Sequence, residues 1–162
     1  MSINQARWLL VSFIVLAILS FIWGHNPSQL RIDTASGAVH PIEVEKSCEI
    51  KGLGCSVPIG GLGTVVIQAP SIIKPLEKFT FTVVPSAALL KNLGSVSVDF
   101  QMVGMDMGIN QYPLTRQADG AYQQVIILPV CTTTRTDWLA LVTFTTTEGV
   151  YVVKLPFFVD RR

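Results

Sequence analysis

The chain has 162 residues, of which 49% are hydrophobic and 14% charged, and its 12 basic and 11 acidic residues give a formal net charge of +1. This balance, without any run of Lys and Arg, excludes the basic surface that nucleic-acid binding requires. Enzyme motifs are missing as well, because both histidines, His25 and His40, lie in a polar segment and residues 60–63 lack the Lys-Ser/Thr of a phosphate loop. We therefore expect neither a nucleic-acid-binding protein nor an enzyme.

Residues 8–24 form an uncharged apolar segment with Trp8 and Trp23 near its ends. A helix of this length rises about 25 Å, which is near the minimum for a membrane span. Tryptophan rings favour the headgroup depth at both ends of such a helix. Arg7 precedes the segment and Arg31 is the next basic residue, so the positive-inside rule predicts a cytoplasmic N-terminus and an exported C-terminal part.

The alternative for this segment is a cleaved signal peptide. Such a peptide ends in small residues, but Phe21, Ile22 and Trp23 occupy the corresponding positions. Polar and small residues follow at 25–40 and are typical of a stalk. The sequence thus predicts a cytoplasmic tip and anchor at 1–24, a stalk at 25–40 and an exported domain at 41–162.

The exported domain has the residue pattern of a β protein. Runs rich in Val, Ile, Thr and Phe recur every ten to fifteen residues between Gly, Pro and Asp. They predict strands near 64–69, 77–85, 94–102, 111–117, 121–128, 138–146 and 150–159. Apolar and polar residues alternate along 94–102, as in an antiparallel sheet that is covered on one side. Such a series of strands predicts an immunoglobulin-like antiparallel β-sandwich after one N-terminal transmembrane helix.

Two further features bear on that sandwich. Asp119-Gly120 lies between two strand candidates and predicts a type I′ hairpin turn. Phe100 and Trp138 are expected in the core, with Trp138 closing one end of the sandwich.

The methionines are unevenly distributed. Apart from Met1, they are Met102, Met105 and Met107. Met102 continues the apolar face of its strand and is expected in the core. Met105 and Met107 would point the same way on an extended strand, and exported thioethers select Cu(I). Methionines also fill gaps in cores or form adaptable binding surfaces, so a copper site and a partner surface both remain open for this pair.

Three cysteines lie in the part expected to be exported, where disulfides form. Cys48 and Cys55 are separated by six residues that include two glycines, and their pairing is the first choice. Pairing of Cys131 with either of them is the alternative, since three cysteines allow one bridge at a time. Cys131 follows the predicted strand 121–128 and would supply a thiolate to copper or remain a buried thiol.

The predicted topology would bring these sulfur atoms together. Met105 and Met107 follow the strand at 94–102, and Cys131 follows the strand at 121–128. One intervening strand, 111–117, makes the order up-down-up, so both strand ends lie at the same edge. A copper site of Met105, Met107 and Cys131 is therefore expected there.

Three segments carry a resemblance over about residues 48–158: Cys48-x6-Cys55, Met105-Asp106-Met107-Gly108-x-Asn110 and Leu128-Pro129-Val130-Cys131. They resemble a group of small bacterial envelope proteins with a single span. More distantly, the architecture resembles the FixH/YtkA-like families, which are associated with cytochrome oxidase assembly and copper handling. The resemblance implies a single-pass protein of the bacterial inner membrane with its C-terminal domain in the periplasm.

Two principal functions remain from the sequence. The first is an accessory protein that binds or delivers copper during assembly of a respiratory oxidase, as the resemblance implies. The second is a metal-free interaction module or accessory subunit of an envelope membrane complex, which docks by an edge strand or by its methionine surface. A thiol-redox role for the cysteines is a third and weaker hypothesis, because their spacing is not Cys-x-x-Cys.

Overall fold

A computed structural model describes residues 38–44, 48–105, 108–130 and 135–160, which belong to one compact unit of the chain, 36–162. The predicted anchor at 8–24 and nearly all of the stalk lie outside the described residues. Within the described ranges, no helix is long and apolar enough to cross a membrane. The described chain is mainly β.

The described elements are ten strands and one short helix, α1. Their bounds, in chain order, are β1 Val39–Glu43, β2 Cys55–Ile59, β3 Gly63–Gln68, β4 Lys78–Pro85, α1 Ala87–Leu90, β5 Leu93–Met102, β6 Gln111–Pro113, β7 Thr115–Arg116, β8 Tyr122–Ile127, β9 Asp137–Thr146 and β10 Gly149–Phe158.

The strands form two five-stranded sheets that pack as a β-sandwich. Sheet 1 has the order β1-β10-β9-β5-β6, and sheet 2 has the order β2-β3-β4-β8-β7. Hydrogen-bonded neighbours are antiparallel except β1 and β10, which are parallel. The predicted single strand at 111–117 is in fact two strands, because the chain passes from sheet 1 to sheet 2 at the buried Leu114.

Alternation along the strands creates the core between the sheets. Along β5, the side chains of Val96, Val98, Phe100 and Met102 are buried, as predicted from the sequence. Phe100 and Trp138 are each 1% exposed, which confirms both as core residues. The core is therefore one apolar layer between the sheets, to which β2–β5 and β8–β10 contribute buried residues mostly at alternate positions.

Two strands were not predicted, and the reason is a proline in each. Pro41 lies within β1 and Pro58 within β2, and proline weakens a strand pattern because it cannot donate to a ladder. β1 begins at Val39, inside the segment assigned to the stalk. His40 pairs with Tyr151 in this strand, and the two rings stack with centroids 5.0 Å apart.

The turn at Asp119-Gly120 is correctly located, but its predicted type is wrong. Type I′ needs a positive φ at both central residues, whereas Leu76 is the only non-glycine residue of the described chain with a positive φ. Gly120 has a φ of 87° and donates its N–H to the carbonyl of Gln117 at 3.1 Å. The hairpin therefore uses a three-residue loop in which glycine takes the left-handed position.

The two ends of the sandwich differ in their contents. Met102 pairs with Trp138, and Trp138 pairs with Phe157, so β5 and β10 end where β9 begins. Phe100 contacts Phe79 near the start of β4, with ring centroids 6.2 Å apart. We call the end of the sandwich that contains Met102, Trp138 and Phe157 the methionine end. The opposite end holds α1, the turn between β9 and β10, and the start of β1.

Candidate functional site

The chain reverses direction immediately after β5. Met105 donates its backbone N–H to the carbonyl of Met102 at 3.2 Å, and the two residues form an isolated bridge. Gly104 has a φ of 76°, a conformation that side chains other than glycine rarely take. Met105 thus lies on the returning arm of a tight turn, the methionine turn (102–105), and not on an extended strand as expected.

The structure describes one member of the predicted copper set. Met102 is 3% exposed and belongs to the core, whereas Met105 is half-buried and packs against the core. Met107 and Cys131, the other predicted ligands, lie outside the described residues. No group of three or more His, Cys, Asp or Glu side chains in the described ranges is placed to hold a metal ion. The site of Met105, Met107 and Cys131 stays a prediction.

Trp138 lies beside the methionine turn with an unsatisfied donor. Its side chain is 1% exposed, yet Nε1 has no acceptor in the described part of the chain. A buried N–H without a partner costs about 1–3 kcal/mol. The sequence predicted Trp138 in the core. It could not predict that Nε1 lacks an acceptor, because the surroundings of this atom come from β5, β9 and β10 together.

Cys48 and Cys55 form a disulfide, with Cα atoms 5.1 Å apart, which is the pairing placed first in the sequence analysis. The alternative bridges of Cys131 to either residue are therefore not formed. Gly54, with a φ of 83°, permits this loop, since a Cβ there would lie 2.7 Å from the carbonyl oxygen of Ile67. The disulfide borders an open cavity of about 540 Å³ between β1 and β2.

Lys51 and Asp160 join the end of β10 to the loop before β2. Lys51 Nζ donates to Asp160 Oδ2 at 2.9 Å, and the backbone N–H of Ile73 donates to the same oxygen at 2.9 Å. Asp160 returns its own backbone N–H to the carbonyl of Ile73 at 2.7 Å. Both hydrogen bonds lower the pKa of the Asp160 carboxyl, and the bond from Lys51 has the larger effect.

A second ion pair lies where β9 begins. Arg135 Nε donates to Asp137 Oδ1 at 2.9 Å, and the guanidinium also pairs with the second carboxylate oxygen. This hydrogen bonding from Arg135 lowers the pKa of Asp137. Both charges are thus engaged next to Trp138.

Exposed apolar side chains are concentrated at the methionine end, a feature that the sequence analysis did not find. The described residues include eleven large apolar side chains that are exposed, and all but Val39, Val84 and Val125 lie in the loops and strand ends there. These eight are Leu53, Ile72, Leu76, Val103, Ile109, Ile127, Val130 and Phe158. We call them the apolar tips. Only the assembled fold shows that they share one end.

The outer face of sheet 1 is a second apolar surface. The prediction that the sheet is covered on one side and polar on the other agrees with β5, whose outward residues are polar. Strands β9 and β10, however, direct apolar residues outward as well. Leu139 lies opposite Pro156, and Val152 lies opposite Pro41, all with outward side chains. We call the half-buried outward residues Leu139, Leu141, Val150 and Val152 the outer strip.

Comparison with known proteins adds no family to these observations. No protein-family model matches the chain, and no curated protein is significantly similar to it.

Proposed function

We propose that this protein is a membrane-anchored accessory protein of the bacterial periplasm, and that its sandwich is an interaction module for a partner in an envelope membrane complex. The observation that carries the proposal is the outer strip, which leaves apolar side chains on the outward face of two central strands. The face of a sheet that contacts only solvent is normally polar.

The order of the strands supports an immunoglobulin-like topology for this module. In such folds the strands A-B-E-D form one sheet and C-F-G the other. In chain order, β3, β4, β5, β7, β8, β9 and β10 take the places of A to G, and β6 lies beside β5 as the added strand C′ does. The outer strip then lies on the F and G strands of the C-F-G sheet.

The strand edges argue for docking by a face. Each of the edge strands β1, β2 and β6 contains a proline, namely Pro41, Pro58 and Pro113, and β7 has only two residues. The part of β10 that extends beyond β1 carries Pro156. Short edges with prolines resist the addition of another strand, so docking by an edge strand is the weaker mode.

The proposal is tested by co-purification of the full chain from gently solubilised membranes. Leu139→Asp places a charge in the outer strip, and Val66→Asp is the matched control, because Val66 is a half-buried outward residue on an inner strand of sheet 2. We expect a stoichiometric partner with the wild type and with Val66→Asp, and its loss with Leu139→Asp. Equal recovery from all three proteins, or no partner for the wild type, contradicts the proposal.

Copper handling during oxidase assembly is the second candidate. It is favoured by the methionine turn, which places the half-buried Met105 at the end of β5, where its backbone forms a bridge with that of the buried Met102. Cu(I) titration of the full chain in detergent tests it. Met105→Leu with Met107→Leu should abolish tight binding, whereas Met102→Leu, a core substitution, should not. Full affinity in the double variant rejects a methionine site.

A further inference from the structure

The outward side chains of sheet 1 lie in rows that cross its strands. β9 is the middle strand, with β10 and β1 on one side and β5 and β6 on the other. The strand register aligns one complete row, which in spatial order consists of Glu43, Lys154, Leu141, Asp99 and Gln111. Leu141 of the outer strip therefore has a positive charge on one neighbouring strand and a negative charge on the other.

This row is complementary to itself under a twofold rotation. When two copies use the same surface, a contact of residue i with residue j is always repeated as j with i. If the twofold axis runs parallel to β9 and passes over Leu141, β10 of one copy lies over β5 of the other. Lys154 then faces Asp99 of the second copy, and the reverse pair forms as well. Glu43 faces Gln111 of the second copy, an exposed amide whose N–H groups suit a carboxylate.

The residues that lie on this axis also suit a twofold pair. Such residues meet their own copies, so a charge among them would repel itself. The outward residues of β9 are the uncharged Leu139, Leu141, Thr143 and Thr145, and Asp137 at its start. The carboxylate of Asp137 is already paired with Arg135. A face that binds a different protein is under no such constraint.

Other twofold arrangements of this face leave the charges unmatched. An axis perpendicular to the strands, over the same row, would place Lys154 over Lys154 and Asp99 over Asp99. Like charges that face each other across an interface disfavour association. An axis over a neighbouring row would cover Lys154 with an apolar residue of β10. Of these arrangements, only the axis parallel to β9 pairs both charges.

The face is also large enough for a specific pair. Three of its strands, β5, β9 and β10, have ten residues each. With the shorter β1 and β6, and with strands spaced about 4.8 Å apart, one face covers roughly 600 Å². Two such faces exceed the total of about 1,000 Å² that a specific interface needs. Homodimer interfaces are more apolar than the rest of a protein surface, which agrees with the outer strip.

We propose that the occupant of the outer strip is a second copy of this chain, packed sheet 1 against sheet 1 about a twofold axis parallel to β9. This inference rests on the proposed function, because it names the partner of the same surface. Two Lys154–Asp99 pairs flank the Leu141 side chains at the centre. Within its own chain, Lys154 Nζ lies 3.5 Å from a carboxylate oxygen of Glu43, and Asp99 accepts one hydrogen bond from Gln101 at 2.8 Å. Both groups retain capacity for a further hydrogen bond.

Two differently tagged copies of the full chain, expressed together, test this proposal. One tag is captured from gently solubilised membranes, and the second tag and any other protein are measured in the same sample. Lys154→Glu or Asp99→Lys, present in both copies, turns each attractive pair into a repulsive one, so recovery of the second tag should fall at least about fivefold.

A charge exchange between the copies makes the test specific. When one copy carries Lys154→Glu and the other carries Asp99→Lys, opposite charges face each other again, and recovery should return to at least about half of the wild-type level. Glu43→Gln is the matched control, because it removes the neighbour of Lys154 within its own chain and should leave recovery unchanged.

The possible outcomes separate this inference from the proposed function. If the two single variants, each folded by circular dichroism, do not associate with each other, the twofold arrangement is wrong. Equal recovery of the second tag with the wild type and with Leu139→Asp also overturns it. A different protein that is captured without the second tag, and is lost with Leu139→Asp, overturns this inference and supports the proposed function. The absence of any partner contradicts both.

Discussion

Phe100 of β5 meets Phe81 of β4 edge to face across the two sheets, with ring centroids 5.6 Å apart and an interplanar angle of 89°. The same ring contacts Phe157 at 5.9 Å and Tyr112 at 6.2 Å. Aromatic pairs in this geometry contribute beyond the area they bury. One side chain thus joins four strands of the sandwich.

Phe100→Ala should therefore lower the free energy of unfolding by about 3–5 kcal/mol, the usual cost of removing a buried large aromatic side chain. Denaturant unfolding of the full chain in detergent, followed by near-UV circular dichroism, measures it. Phe100→Leu is the control and should lose less, because it leaves a smaller cavity. A loss below about 1 kcal/mol for the alanine variant would contradict this role.

Trp138 should respond differently to two substitutions. Trp138→Ala leaves a large cavity and is expected to cost about 3–5 kcal/mol. Trp138→Phe also removes the Nε1 donor, which has no acceptor among the described residues and whose burial then costs about 1–3 kcal/mol, so its net effect should be close to zero. The same unfolding measurement decides between them, and equal losses for both variants would show that the donor has a partner.

The disulfide is expected to stabilise the sandwich. Cys48→Ala with Cys55→Ala should lower the free energy of unfolding by about 2–3 kcal/mol in the loop-closure model. A thiol count under denaturing conditions should find one free thiol before reduction and three after it, since two of the three cysteines are paired. Three thiols before reduction would rule the bridge out.

Asp160 should make stability depend on pH. Because Lys51 and the Ile73 N–H lower its pKa in the folded state, it stabilises the fold above its unfolded pKa of about 3.9. This contribution is lost as the pH falls through the lower, folded pKa. The side chain is 39% exposed, so we expect a contribution of at most about 1 kcal/mol.

Unfolding of the wild type and of Asp160→Asn between neutral and acidic pH tests this contribution. The difference in free energy between the two proteins should shrink as the pH falls below about 4. Lys51→Met should behave like Asp160→Asn, because it removes the first cause of the lowered pKa. A free-energy difference that stays constant over this range would show that the ion pair does not make the stability of the fold depend on pH.

Leu76→Gly should raise stability. Relief of the left-handed conformation gains about 1–2 kcal/mol, and the extra freedom of glycine in the unfolded chain removes about 0.4–1 kcal/mol of this. Thermal unfolding should therefore show a higher midpoint for Leu76→Gly. Leu76→Ala keeps the strain and should show none of this gain; an equal gain for both would mean that the backbone is not strained.

Sequence periodicity was sufficient for the interior of the fold. The predicted ends of β5 and β9 lie within one residue of those observed, because these strands alternate or run apolar without a proline. β1 and β2 escaped prediction because they are short and contain Pro41 and Pro58. The position of Met105 also escaped it, since the pattern predicted an extended strand there, whereas the chain turns at Gly104.

Features that depend on several distant segments could not be predicted in this way. The apolar tips are scattered from Leu53 to Phe158 in the sequence, and nothing local shows that the loops bearing them meet. The outer strip was missed because the alternation along 94–102 was extended to the whole sheet. The unsatisfied donor of Trp138 depends on neighbours that only the sheet register supplies.

The crossing of the chain at Leu114 has a consequence for how the domain opens. On one side of the sandwich the chain runs directly from β6 in sheet 1 to β7 in sheet 2 and so connects the two sheets. On the other side, β1 and β2 are connected through the loop that contains the disulfide. β1 is held by one neighbour, and most of its side chains are exposed. Its amide protons should therefore exchange with solvent first, so that local unfolding proceeds from β1 inward while the aromatic layer around Phe100 stays closed.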